Sequence, residues 1–112
     1  MIDSYDFGRI VVDGKVYTRD VLIFPDRVKA NWWRKEGHAL YIEDIESVVS
    51  EKPEVLIVGT GKYGVLTVSA QTRAYIESQG IELIAEPTDK ACELYNHLSR
   101  TKKAVAALHL TC

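Results

Sequence analysis

The segment Val55-Leu56-Ile57-Val58-Gly59-Thr60-Gly61-Lys62-Tyr63-Gly64 constrains this chain more than any other stretch. Four consecutive apolar residues, three of them β-branched, lie between Pro53 and a loop with three glycines, the pattern of a strand buried on both faces. A strand of that kind sits at the centre of a sheet that is covered on both sides. At 112 residues the chain has material for one such core, so residues 1–112 are read as a single domain.

The flanking segments specify how that core is assembled. Phe7-Gly8-Arg9-Ile10-Val11-Val12 and Lys15-Val16-Tyr17-Thr18 meet across Asp13-Gly14, a pair that tolerates the positive φ angles of a two-residue hairpin turn. Val21 to Phe24 is a second buried-type strand ended by Pro25-Asp26, and Val28 to Trp33 is expected to be extended. His38 to Tyr41 reads as a short edge strand. From Glu43 to Lys52 the chain reads as a helix, with Ile42, Ile45, Val48 and Val49 at helical spacing, and Pro53 stops it. Ser69 is placed to cap a helix to about Gln79 that carries Ala70, Ala74, Tyr75 and Ile76 as its apolar residues, with Gly80 beyond its end. Ile81 to Ala85 is a strand, and Thr88 is expected to cap a third helix bearing Ala91, Leu94, Tyr95 and Leu98. Ala104 to Leu110 closes the chain as a strand. Helix and strand alternate through the second half, which implies parallel pairing through crossovers. The expected fold is therefore α/β: a three-layer domain with a mixed central sheet, parallel βα units in the second half and an added N-terminal β-hairpin layer.

Charge and cysteine content narrow the function classes. A net charge of -2 lacks the basic excess of a general nucleic-acid binder. No uncharged apolar stretch approaches the roughly 18 residues of a membrane span, and Met1 to Asp6 is acidic with no apolar leader, so a cytoplasmic protein is expected. Cys92 and Cys112 are too few for a disulfide framework and are expected as free thiols, Cys92 as a core residue.

Phe7-Gly8, the cluster Trp33-Arg34-Lys35-Glu36-Gly37-His38, the loop Ile57 to Gly61, the segment Thr88 to Asn96 and the ending His109-Leu110-Thr111-Cys112 occur in an order that resembles one family. It is the small domain-of-unknown-function family that includes the adipogenesis-associated domain-containing protein and, more distantly, a mitochondrial assembly factor of respiratory complex I. The resemblance covers essentially the whole chain. It implies a three-layer α/β domain and carries over no established catalytic reaction; its distant assembly-factor branch works by binding proteins.

Two places concentrate chemistry. Gly59 to Gly64 matches G-x-G-x-x-G after a strand, but Val65-Leu66-Thr67-Val68 intervenes before a helix cap, where a dinucleotide fingerprint needs the helix to begin. Tyr63 follows Gly61-Lys62 where a P-loop needs Ser or Thr. What remains is a structural turn, or an anion site formed by Gly59, Thr60, Gly61, Lys62 and Gly64, joined by Thr88 and Asn96 if their helix begins beside the loop. On a strand Trp32 and Trp33 point to opposite faces, so one enters the core and the other stays at the surface. Trp33, Arg34, Lys35 and His38 are then either a solvated face or a protein-binding patch for an acidic partner. His38 has no nucleophile at a recognisable spacing, and on a regular strand His109 and Cys112 face apart, so neither catalytic residues, a metal site nor a cofactor is assigned. The leading expectation is a non-catalytic interaction or assembly-type module with an unknown protein partner, self-associating through exposed strands or apolar surface. The alternative is a small-molecule enzyme that holds an anionic ligand on Thr60 and Lys62 with His38 as acid or base.

Overall fold

The computed structural model describes residues 1–112. Ten strands and three α-helices follow one another as β1 (Ile2–Asp6), β2 (Arg9–Val12), β3 (Lys15–Tyr17), β4 (Val21–Ile23), β5 (Val28–Lys29), β6 (Ala39–Leu40), α1 (Glu46–Ser50), β7 (Val55–Thr60), β8 (Thr67–Val68), α2 (Ala70–Ser78), β9 (Glu82–Glu86), α3 (Thr88–Leu98) and β10 (Ala104–His109). A 3-10 turn, Ile42–Ile45, leads into α1. The expected single helix from Glu43 to Lys52 is thus a 3-10 turn joined to a short α-helix. The extended stretch after Phe24 is only β5, because Asn31 adopts a left-handed backbone (φ 57°) and turns the chain.

The central sheet has the order β5-β4-β10-β7-β9. β10 and β9 run parallel to β7, while β4 and β5 add antiparallel, giving the expected mixed sheet. All six residues of β7 and all six of β10 are buried, which is why both segments are apolar without alternation. Side chains leave the two faces by turns. Val55, Ile57, Ala104, Ala106 and Leu108 pack with Ala91, Cys92 and Tyr95 of α3 and with Ile2, Ile10 and Val12 of the hairpin layer. Leu56, Val58, Val105 and Ala107 pack with Ile45, Val48 and Ile76 on the side of α1 and α2. Three layers result.

The hairpin layer is a three-stranded antiparallel sheet, β1-β2-β3, and not a lone hairpin. Asp13 and Gly14 take φ angles of 49° and 79° at its turn, as the sequence requires. β1 is anchored by Asn96, whose side chain accepts from the Ile2 N–H and donates to the Ile2 carbonyl, both at 2.8 Å. Ser69 caps α2 by accepting from the Thr72 N–H at 3.2 Å. The buried face of α2 is carried by Thr72 and Ile76, however, while Ala70 and Ala74 are exposed. The Thr72 hydroxyl earns burial by donating to the Leu40 carbonyl at 2.9 Å.

Candidate functional site

The carboxyl ends of β7 and β10 gather most of the chemistry in the chain. Gly59 is buried, and a side chain there would press on Leu108 at 2.8 Å and on the Thr88 hydroxyl at 2.9 Å. The missing Cβ lets the start of α3 sit directly on the sheet. Thr88 does not cap α3, whose N-cap is Pro87. It is fully buried, and its hydroxyl accepts from the Gly61 N–H at 2.8 Å and donates to the His109 carbonyl at 2.6 Å, joining the glycine loop, the helix and β10.

Three amides of the glycine loop, those of Gly61, Lys62 and Gly64, are taken up within the chain. Besides Gly61, the Lys62 N–H donates to the Thr111 carbonyl at 2.7 Å, the Gly64 N–H to Gly61 at 3.3 Å and the Val65 N–H to the Cys112 carbonyl at 3.2 Å. Gly61 has φ 101°, and a Cβ there would overlap the backbone of Cys112. Its glycine answers to a left-handed backbone and to a crossing segment of chain. Lys62 reaches Asp89 at 3.2 Å and lies 5.7 Å from the centre of the Tyr5 ring. Burial, then the charges of Asp89 and Cys92, push the Tyr5 hydroxyl up to about 12, and it donates to the Leu110 carbonyl. Of the loop group, Gly59, Thr60, Gly61, Lys62, Gly64 and Thr88 come together, whereas Asn96 lies a further two helical turns along α3 and is engaged with β1.

A few ångströms away, Arg34 joins two residues that lay outside the sequence-derived site. Trp32 and Arg34, two apart, point inward, with the guanidinium 4.7 Å from the centre of the Trp32 ring; Trp33, between them, points out and is 77% exposed. Arg34 is buried. Its Nη1 donates to Asp20 Oδ2 at 2.7 Å and its Nη2 to the Gly37 carbonyl at 3.0 Å, with His109 Nδ1 3.1 Å from Nη2. The carboxylate of Asp20 also faces His109 Nδ1 at 2.8 Å and accepts from the Leu110 N–H at 2.8 Å. Asp20 and His109 face each other because β4 and β10 are antiparallel with Leu108 opposite Val21, one residue further in. The Trp32 N–H adds a bond to the Asp20 carbonyl at 2.8 Å, and the indole donates to the Asp44 carbonyl at 3.0 Å. Burial alone would raise the Asp20 carboxyl. The hydrogen bonds from His109, the Leu110 amide and Arg34 outweigh it and hold the group below the usual carboxylate value.

His109 Nε2 and Arg34 Nε are buried without a hydrogen-bond partner, while Asp20 keeps a 17% exposed edge at the surface. His38 is exposed, its ring centre 6.1 Å from that of His109, and its carbonyl accepts from the Thr67 N–H. Lys35 is exposed, beside Glu43 at 3.7 Å and over the Tyr41 ring. The four residues of the aromatic-basic segment therefore split: Trp33, Lys35 and His38 remain at the surface, and Arg34 becomes the fastener beneath them. No three His, Cys, Asp or Glu side chains are grouped to hold a metal ion. Asp20 escaped sequence reasoning, and His109 was weighed only as a metal ligand beside Cys112, because the two lie 14 and 75 residues from Arg34. The one available signal was that each abuts a fully apolar strand.

A model of the family described as "Protein of unknown function (DUF498/DUF598)" matches residues 2–110, nearly the full chain. The chain belongs to the DUF498/DUF598 family. The resemblance read from the order of its motifs agrees with that assignment. Among solved structures, a conserved hypothetical protein of Pyrococcus horikoshii is 31% identical and superimposes with a TM-score of 0.86 over 100% of this chain and 99% of that one. A protein described as MT938 is 28% identical, with a TM-score of 0.82 over 100% and 98% of the two chains. A Bordetella pertussis protein described as a Mth938-like domain, 19% identical, shares the fold with a TM-score of 0.69 over 98% and 85%. The first two of these chains share the fold of this one over nearly their whole length.

Proposed function

We propose that this DUF498/DUF598 chain is a non-catalytic, assembly-type protein-interaction module whose binding surface is centred on Trp33. One observation carries the reading. The Trp33 ring is 77% exposed on a segment whose neighbours on both sides are buried and fastened, Trp32 to Asp20 and Asp44, Arg34 to Asp20 and Gly37. A large aromatic carried on a fastened stretch of backbone has only its own two side-chain torsions to order when a partner covers it, which suits a binding hot spot. The anion-binding alternative is less well supported, since the Gly61, Lys62 and Gly64 amides it would use are bonded to Thr88, Thr111 and Gly61. The polar cluster beneath Trp33 supports positioning and not turnover, because His109 is enclosed. No helix is long and apolar enough to cross a membrane, and a cytoplasmic setting goes with this reading.

The test is co-purification from the native host with the wild-type chain and with Trp33→Ala. Truncation at this exposed position leaves the core intact, unlike any change at Arg34. The reading expects at least one stoichiometric partner on the wild type that is absent from the folded variant. Identical partner sets would overturn it.

A further inference from the structure

Trp33 stands between two surface cavities. The first, of about 350 Å³, is lined by Arg19, Asp20 and Thr111 among others; the second, of about 660 Å³, by Lys29, Lys35, Glu43, Asp44 and Glu46. Asn31, Trp32 and Trp33 belong to both. Their charges differ in sign. Asp20 is neutralised by Arg34, so the exposed guanidinium of Arg19, which pairs with no carboxylate, sets the sign of the first as positive. The second holds three acids against two lysines. Lys35 sits beside Glu43, Asp44 accepts from the Lys35 and Tyr41 amides, and Glu46, exposed, has no cationic partner. Lys29 is likewise unpaired and offsets part of the acidic excess.

From this polarity we infer that the partner seated on Trp33 is a second copy of this chain, the two related by a twofold axis that passes beside the Trp33 rings. The inference rests on the reading of Trp33 as a binding anchor and names its occupant. An isologous contact requires a surface that complements itself after a half-turn. A patch with one sign of charge around its anchor repels its own copy. Here the half-turn brings the Arg19 side of one protomer over the Glu46 side of the other, twice, while the two indoles meet at the centre. The cavities on either side leave room for the partner's long charged side chains.

Sedimentation velocity over a concentration series is the test, using the full chain and three variants at exposed positions. The wild type is expected as a reversible monomer–dimer equilibrium, and Trp33→Ala as a monomer. Arg19→Glu sets carboxylate against carboxylate and Glu46→Arg sets guanidinium against guanidinium, each twice per dimer. Each variant alone should associate more weakly by roughly tenfold or more. An equimolar mixture of the two should recover association, because every contact is again between opposite charges. That recovery is the outcome a merely sticky aromatic would not give. A wild type that stays monomeric up to about 1 mM would overturn the inference. So would a dimer that is insensitive to both charge reversals. If Trp33→Ala still loses a different co-purifying protein in those cases, self-association falls while the interaction reading stands.

Discussion

Replacing Asp20 with Asn tests the fastening beneath Trp33. The substitution keeps the size and one acceptor oxygen, so the Leu110 amide retains its partner. It removes the charge that faces Arg34 Nη1 at 2.7 Å and His109 Nδ1 at 2.8 Å. The Arg34 side chain is only 5% exposed, so its guanidinium is left nearly unhydrated and unneutralised. Removing one partner of a buried pair typically costs about 3–5 kcal/mol. Asp20 is itself 17% exposed, which places the expectation at the lower end, about 3 kcal/mol. For a chain of this length that lowers Tm by about 12 °C. Urea denaturation followed by circular dichroism at pH 7 measures it, and a cycle with Arg34→Met should return a coupling of about 2 kcal/mol. The pH dependence follows from the direction of the Asp20 shift. Its folded value lies below the ordinary 3.8, so the folded state binds its proton less readily than the unfolded chain does. The contribution is complete above the unfolded value and is lost as pH falls through the folded one. The stability gap between wild type and D20N should therefore be constant near neutrality and close below about pH 4. A gap under about 1 kcal/mol at pH 7, or one that widens in acid, would refute the account of this cluster.

Two further outcomes follow from the same surroundings. Thr88→Val strands the buried Gly61 amide and His109 carbonyl together, and should cost about 2–4 kcal/mol with faster hydrogen exchange at Gly61, while Thr88→Ser should recover most of the loss. Burial, then Asp89 and Glu93, push the Cys92 thiol up to about 12, so Ellman's reagent should titrate one thiol in the native protein, Cys112, and two in denaturant.

The parts of the fold that were legible in the sequence are those where one local requirement decides the outcome. Pro53 and Gly59 bound an uninterrupted apolar run, Asp13-Gly14 needs positive φ, and Ser69 supplies a cap. β1 was missed because Ile2 is its one buried residue, and its hold on the protein comes from Asn96, 94 residues away. The face of α2 was misjudged because exposed alanines look apolar, whereas Thr72 is buried only by virtue of a carbonyl on β6. The role of Thr88 was read as a cap for the same reason: a hydroxyl at a helix start has a good local use, and its actual partners lie on other elements. The aromatic-basic cluster was legible as a segment. That Arg34 leaves it for the interior depended on Asp20 and His109, brought together only by the antiparallel pairing of β4 with β10.

The central claim is that Trp33 is presented to a partner and Trp32 is not. Hydroxyl-radical footprinting read by mass spectrometry compares oxidation of the two residues in dilute purified protein and in concentrated native extract. Trp32 should be protected in both, and Trp33 should be oxidised readily in the dilute protein and protected in the extract. Equal oxidation of Trp33 in the two samples would contradict the account.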